Sequence, residues 1–383
     1  MKKIITLVAF MLWLTACVND DEYSWESDFS DRTATDTLRI NIDYGESGVI
    51  ISGDDKGYVT SNGAHVVVRS NTNQFLLLSL SGQSSNGSLL IYSWKKCGVL
   101  LNGLNLRNPK GPAVNNQCGK SFFVMLAPGS VNTLADGVEY ASAPISATGE
   151  EIDQKATLFS EGQIYFRGTG SLTINGLAKN GIASDDYLVF EGGNIMINMS
   201  ATAGNGIKAN DGVDIQGGTL TIDVKAPGAR GIKNDARTTI SGGVTTITTS
   251  GDCKIETING ITDTTSCAGI KSDSLFTMTA GILNISSSGD GGKGINCAAD
   301  VLMRGGQLTV ATTGTNNEGK PKAVKSETGI ILSGGSFKAT CKKSWACDNG
   351  VETEDPLQRV TVIGTPTSKS IGKREVIVEF QDI

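Results

Sequence analysis

The sequence predicts an all-β fold, a parallel β-helix (solenoid) of about 25 residues per turn, and three observations support it. A Gly-Ile start recurs at Gly181-Ile182, Gly206-Ile207, Gly231-Ile232, Gly269-Ile270 and Gly294-Ile295, with Ala323-Val324 as a worn sixth copy. A glycine pair or its remnant follows each start eleven residues later: Gly192-Gly193, Gly217-Gly218, Gly242-Gly243, Ala280-Gly281, Gly305-Gly306 and Gly334-Gly335. Between these markers apolar residues alternate with polar ones, the period of a strand with one buried face.

Laid over one another, the copies form apolar columns. One runs Ile182, Ile207, Ile232, Ile270, Ile295, Val324, and a second runs Phe190, Ile215, Ile240, Met278, Met303, Leu332. After the glycine pair come Ile195, Leu220, Thr245, Leu283, Leu308, Phe337, then Ile197, Ile222, Ile247, Ile285, Val310, Ala339. Three short strands per copy, separated by glycine corners that tolerate positive φ, describe one solenoid turn. Successive turns then stack about 4.8 Å apart, the spacing of paired strands. A helical solenoid needs stripes of period 3.6 and a propeller blade needs longer antiparallel units, and neither pattern is present. An earlier turn is visible at Leu158 to Ser160 and Gly168 to Ile174, and irregular turns extend back to about residue 40. The Arg374 to Phe380 alternation reads as a strand capping the open end.

The distance from each glycine pair to the next start is 14, 14, 27, 14 and 18 residues, so all extra length falls at one corner. Insertions gathered on one face of a repeat protein usually shape its binding face, and drift at a tolerant loop is the plain alternative.

Residues 1–16 read as an export leader, with Lys2 and Lys3 before the apolar run Ile4 to Leu14 and the box Leu14-Thr15-Ala16-Cys17. Cys17 is the expected lipid acceptor. The following Val18-Asn19-Asp20-Asp21-Glu22 is similar to the acidic run that sends some Gram-negative lipoproteins to the cell surface, so the expectation is an exposed outer-membrane lipoprotein. Residues 17–35 set Asp20, Asp21, Glu22, Glu26, Asp28 and Asp31 against Arg32 alone, with almost nothing apolar to bury, and read as a flexible tether. Residues 36–383 read as one domain, long for a compact core but not for a repeat stack.

A net charge of −6 and a pI near 5.1, with no basic patch, argue against nucleic acid as a partner. The sequence suggests a monomer whose contact with the membrane is the lipid alone. His65 is the one histidine, which excludes His-dependent triads and His-rich zinc sites. Gly119-Lys120-Ser121 lacks the earlier glycine of a phosphate loop, its place being Val114. Seven cysteines follow Cys17, an odd number. Cys253 with Cys267 and Cys341 with Cys347 bracket loops and are the preferred disulfides, with buried thiols stacked in the core as the alternative.

Beside the buried Ile column runs an outward one, Ala183, Lys208, Lys233, Lys271, Asn296, Lys325, and two residues on lie Asp185, Asn210, Asp235, Asp273, Ala298, Glu327. Residues two apart share a strand face, so these form adjacent ladders. Lysines stacked at about 4.8 Å repel by about 1 kcal/mol per neighbour in water, which the acids offset. One reading is a self-neutralised ladder; the functional one has Lys208, Lys233, Lys271 and Lys325 meeting the carboxylates of an acidic polysaccharide. Asp185, Asp186, Asp211, Asp235 and Asp273 are hard oxygen donors suited to calcium. A lyase would combine the two, calcium acidifying the proton beside a uronate carboxylate and Lys208, Lys233 or Lys271 removing it. Tyr92 and Trp94, followed by Lys95 and Lys96, are candidate sugar platforms, as is Trp345, and core packing is the alternative for each.

Gly98-Val99-Leu100-Leu101-Asn102-Gly103-Leu104-Asn105-Leu106, Val131-Asn132-Thr133-Leu134-Ala135-Asp136-Gly137 and the Gly-Ile-Lys starts resemble the bacterial β-helix carbohydrate-binding domain family, from roughly residue 40 to 345. The resemblance implies a right-handed parallel β-helix related to polysaccharide lyases, with calcium bound in relatives and affinity for cellulose or pectic acid. The family carries acids just before its Gly-Ile-Lys starts. Here those pairs are Lys179-Asn180, Gly204-Asn205, Ala229-Arg230, Cys267-Ala268, Gly292-Lys293 and Pro321-Lys322, which weakens the calcium expectation. The resulting expectation is non-catalytic polysaccharide binding at the cell surface, of an acidic or plant-type glycan. The alternatives are a calcium-dependent lyase with a lysine base and an adhesin-like structural protein.

Overall fold

The computed structural model describes residues 36–146, 149–315 and 319–381. The expected leader, lipid-bearing Cys17 and acidic tether lie outside the described residues. The chain forms a parallel β-solenoid of about 11 turns, about 25 residues each. Each regular turn contributes one strand to each of three faces. The turn at Arg230–Asn234, Arg237–Ile240 and Val244–Thr249 shows the plan, and we call these the first, second and third faces. The first-face strands form a 12-stranded sheet, and the other two faces belong to a 21-stranded one.

The register places like on like. Ile182, Ile207, Ile232, Ile270, Ile295 and Val324 pair in succession on the first face. Phe190 to Leu332 stack on the second, and the Ile195 and Ile197 columns stack on the third. All of them point inward and are buried. A one-residue slip on any strand would turn its apolar set to solvent, so the alternation read from sequence also sets the register.

Two kinds of glycine hold the cross-section. The second member of each pair turns a corner at positive φ, as Gly218 does at 74°. The glycine of each Gly-Ile start serves a different end, because there the first face meets the third. A Cβ on Gly231 would lie 2.3 Å from Ile247 Cγ2 and 2.6 Å from the Gly269 carbonyl. The same approach recurs at Gly206 against Ile222, Gly269 against Ile285 and Gly294 against Val310. These glycines are required for space.

Both ends carry antiparallel cover. Gly48–Ser52 pairs with the first strand, Thr37–Gly45, and Val59–Asn62 pairs with Ala64–Ser70. At the other end the expected capping strand forms at Glu375–Glu379, antiparallel to the last third-face strand and to Ser368–Ile371. Such pairing occupies open edges that would otherwise recruit other chains. The longest insertion is itself ordered, an antiparallel hairpin of Lys254–Ile258 and Ile261–Thr265 at the corner leading into the first face.

The two expected disulfides do not form. All seven cysteines among the described residues are buried, and no disulfide joins Cys253 to Cys267 or Cys341 to Cys347. Cys341 continues the inward third-face column Thr249, Ser287, Thr312, whereas Cys347 continues the first-face column below Val324. Cys267 donates its thiol to the Ala229 carbonyl at 2.7 Å. Cys97, Cys118, Cys297, Cys341 and Cys347 pack into the hydrophobic core, and closeness in sequence does not bring the expected pairs into a bond.

Opposite stability effects should follow from two substitutions within one turn. Gly231→Ala forces a methyl into closed space and should lower stability by about 1–3 kcal/mol. Thr245 is fully buried between Leu220 and Leu283, its hydroxyl without a hydrogen-bond partner among the described residues. Thr245→Val should therefore raise stability by about 1 kcal/mol. Urea unfolding of both variants measures the two signs.

Candidate functional site

The outward side of the first face carries nearly all the residues singled out from sequence. Following the register from the N-terminal end, one outward column reads Val67, Leu90, Asn115, Phe159, Ala183, Lys208, Lys233, Lys271, Asn296, Lys325. Two residues farther on, Arg69 and Tyr92 pair at the N-terminal end, in the column that Asp185, Asp235 and Asp273 occupy later. The aromatic candidates and the lysine ladder thus stand on one face.

At the N-terminal end Tyr58, Arg69, Asn71, Tyr92, Trp94 and Gln117 line an open cleft of about 570 Å³. Trp94 is 55% exposed, and its indole N–H donates to the Thr72 carbonyl at 2.6 Å. That bond fixes a solvent-facing ring without burying it. Tyr92 is half-buried, with the Arg69 guanidinium 4.1 Å from its ring centroid. Trp345, by contrast, is buried between Arg359 and Lys373, 4.0 and 4.6 Å from its centroid, and serves the C-terminal cap.

At the C-terminal end the lysines stack in register, and most carry their own neutralising acid. Lys233 lies 3.3 Å from Asp235, Lys325 lies 2.5 Å from Glu327, and Lys271 is in direct contact with Asp273. Lys208 is followed two residues later by Asn210 and, among the described residues, has no ion pair. The ladder is a row of exposed ion pairs with one uncompensated cation.

Between these ends a segment crosses over the face. Asn115 and Gln117 donate to the Asp153 carbonyl at 2.9 and 3.3 Å, and Phe159 beneath is fully buried. The segment brings Asp153 beside Glu161 and Asp185, their carboxylate oxygens within 4.8 Å of one another. Lys155 Nζ sits among them, 2.6 Å from Asp153 and 2.5 Å from Asp185. Burial pushes the Glu161 carboxyl up to about 7, with Asp185 and Asp153 adding to the shift.

Of the five acids expected as calcium donors, only Asp185 enters this cluster. Asp186 accepts from the Tyr187 amide, Asp235 and Asp273 hold lysines, and Asp211 is exposed. Calcium takes six to eight oxygens. Among the described residues one such cluster exists, offering three carboxylates, and the Lys155 ammonium already holds two of them. The residues present fit their own lysine rather than a divalent ion.

Asp153, Lys155 and Glu161 were missed because they lie ahead of the regular repeats, where no column marks them. Lys293 was passed over as well. It sits under the insertion corner, contacts Ser266 Oγ, and is 3.4 Å from the Gly319 carbonyl. Burial brings its ammonium down to about 8, with Lys325 and Lys322 adding to the effect.

A parallel solenoid with an exposed tryptophan cleft and a charged ladder on one sheet defines a class of elongated binding scaffold. A family model described as "Carbohydrate-binding domain-containing protein" matches residues 62–231 and 221–319, and the chain belongs to that family. A "Carbohydrate-binding domain-containing protein" of Acetivibrio thermocellus is 27% identical over 123 residues, 32% of this chain and 42% of that protein. The chain thus spans under half the length of this relative. Among solved structures, the "polysaccharide lyase-like protein from C. thermocellum", a gadolinium derivative, superposes with a TM-score of 0.54 at 23% identity. That superposition covers 70% of this chain and 97% of the other, and it shows the shared fold.

A pH dependence should trace to Glu161. Its carboxyl titrates higher in the folded chain than in an unfolded one, so the folded state holds an extra proton between about 4.5 and about 7. Stability should therefore fall as pH rises through that window. Glu161→Gln should flatten this part of the curve, as read from urea midpoints at pH 5 and pH 8.

Proposed function

We propose that this protein binds polysaccharide without cleaving it, that the glycan lies along the first face across the turns, and that it is an acidic or plant-type chain presented to a lipid-anchored protein at the cell surface. The observation that carries the reading is the shared face. Trp94 offers a fixed, exposed ring at one end, and Lys208 offers an uncompensated cation four rungs beyond the Tyr92 strand, about 19 Å at the spacing of paired strands. Aromatic rings give apolar sugar faces a stacking surface at small entropic cost, and the cation favours carboxylates. The family assignment supports carbohydrate as the ligand class, and the ladder supports the acidic preference. The ridge of Asp153, Glu161 and Asp185 divides the face, so stacking and charge recognition occupy separate ends.

Affinity for polygalacturonate, measured by calorimetry beside a neutral cellulose oligomer, tests this. Trp94→Ala should weaken binding of both about tenfold, corresponding to about 1.4 kcal/mol. Lys208→Ala should weaken the acidic glycan alone, by about threefold to fivefold, with the loss shrinking as salt rises. Lys233→Ala should cost less than Lys208→Ala, because Asp235 already compensates Lys233. Unchanged affinity in Trp94→Ala would remove the cleft from the site.

One observation favours a second reading, a lyase with a lysine base. Lys293, brought to about 8, is the lysine whose surroundings suit proton abstraction near neutral pH. Unsaturated uronate product formed by the parent chain, retained in Lys233→Ala and lost in Lys293→Ala, would establish that reading over simple binding.

A further inference from the structure

The residue that opens each first-face strand, at the corner where the insertions enter, forms a column of its own. It begins as an amide ladder. Asn180 Oδ1 accepts from the Asn205 backbone and side-chain amides at 3.0 Å, and Asn205 Oδ1 accepts from the Arg230 amide at 3.0 Å. From there the register continues Arg230, Ala268, Lys293, Lys322. The column thus turns from neutral to cationic at the turn that precedes the hairpin of Lys254–Ile258 and Ile261–Thr265.

Counter-charge does not keep pace with this change. The stretches 230–235, 268–273, 293–298 and 322–327 set Arg230, Lys233, Lys271, Lys293, Lys322 and Lys325 against Asp235, Asp273 and Glu327. Each of these acids is held by the ladder lysine of its own stretch, and Lys322 takes Asp348 from the following turn at 2.7 Å. Arg230 and Lys293 are left over. Among the described residues the Arg230 guanidinium makes no ion pair, and its buried Nε has no hydrogen-bond partner. Lys293 contacts the Ser266 hydroxyl and the Gly319 carbonyl, both neutral. Cys267 near Arg230 supplies no charge either, because burial pushes its thiol up to about 11.

The two cations also act on each other. Burial holds the Lys293 ammonium below its ordinary range, and Lys325, Lys322 and Arg230 add to the effect. Their strands are two spacings apart, about 10 Å, with Ala268 on the strand between them. Cations held partly out of water without a counter-ion destabilise the chain, and an oxyanion placed between them would relieve both.

We propose that Arg230 and Lys293 form an oxyanion site beside Ala268 that takes a carboxylate or sulfate ester of the glycan. The guanidinium supplies a planar fork of donors and the ammonium a point charge. The glycan part of this inference rests on the proposed function, whereas the oxyanion site itself does not. With Lys208 the site sets a direction. Lys208, Arg230 and Lys293 fall on the first, second and fourth of four consecutive strands, about 14 Å in all, on a diagonal toward the insertion corner.

Inorganic sulfate tests the site without a glycan. At fixed ionic strength, exchanging chloride for sulfate should raise the thermal midpoint of the parent about 2 °C more than that of Arg230→Gln or Lys293→Gln. Each shift is taken within one variant, so differences in basal stability cancel. Equal shifts in all three would overturn the proposal. Trigalacturonate and a sulfated galactan oligomer, titrated by calorimetry at constant salt, separate the two sources. Either single variant should weaken the oligomer that occupies the site about tenfold, about 1.4 kcal/mol, and leave a neutral cellulose oligomer unchanged. The double variant should lose little more than the stronger single one, since both cations serve one anion, and fully additive losses would overturn the shared site. Charged-oligomer affinity that falls in Trp94→Ala and Lys208→Ala but holds in both corner variants would overturn this inference and leave the proposed function standing. A sulfate effect confined to the parent, with no glycan bound, would keep the oxyanion site and overturn both the glycan as its occupant and the proposed function.

Discussion

The cross-section closes at one contact, the backbone of each Gly-Ile glycine against the branched side chain at the end of the third face. At Gly231 the space for a methyl is taken by Ile247 and by the glycine of the next turn. Because the contact recurs from Gly181 to Gly294, every turn is pinned at the same corner, and the inward columns stay in line. Each buried isoleucine then packs on its counterparts above and below, and no residue far away in sequence is needed to complete the core. The extra length of the irregular turns is absorbed at the corner just before this contact, where a hairpin can leave and return without disturbing the register.

The constraint that orders the interior imposes a difficulty on the exterior. Parallel in-register stacking sets like over like, so an outward lysine meets another lysine on the next rung. The chain answers with an acid two residues on in three of the four ladder strands, leaving Lys208 as the uncompensated position. Interruptions of the repeat likewise become features of the surface. The segment over Phe159 brings a third carboxylate and a lysine to the first face, and Trp94 lies just beyond the last residue of its strand.

The fold was legible because its information is local and repeated: an interval, an alternation and a set of columns. The outward ladders were legible for the same reason, since one register serves both sides of a strand. The cysteine pairing was misjudged because proximity along the chain was read as proximity across a corner, whereas Cys341 and Cys347 occupy different columns. Glu161, Lys155 and Lys293 carried no signal, because what distinguishes them is burial and the neighbours that insertions bring, which no single strand encodes.

By itself, then, the sequence determined the parallel stack, its period, which residues face inward, the cap at its end and the face that bears Tyr92, Trp94 and the lysines. The tertiary structure decided which of these groups remain available. It pinned the Trp94 ring open, consumed Lys233, Lys271 and Lys325 in ion pairs, placed an ammonium among the carboxylates that would otherwise suit a metal, and set Cys341 and Cys347 in different columns. The division has a physical basis. Period and alternation are properties of the backbone and can be read along one strand, whereas exposure, pairing and proton affinity depend on what the corners and insertions place beside each side chain.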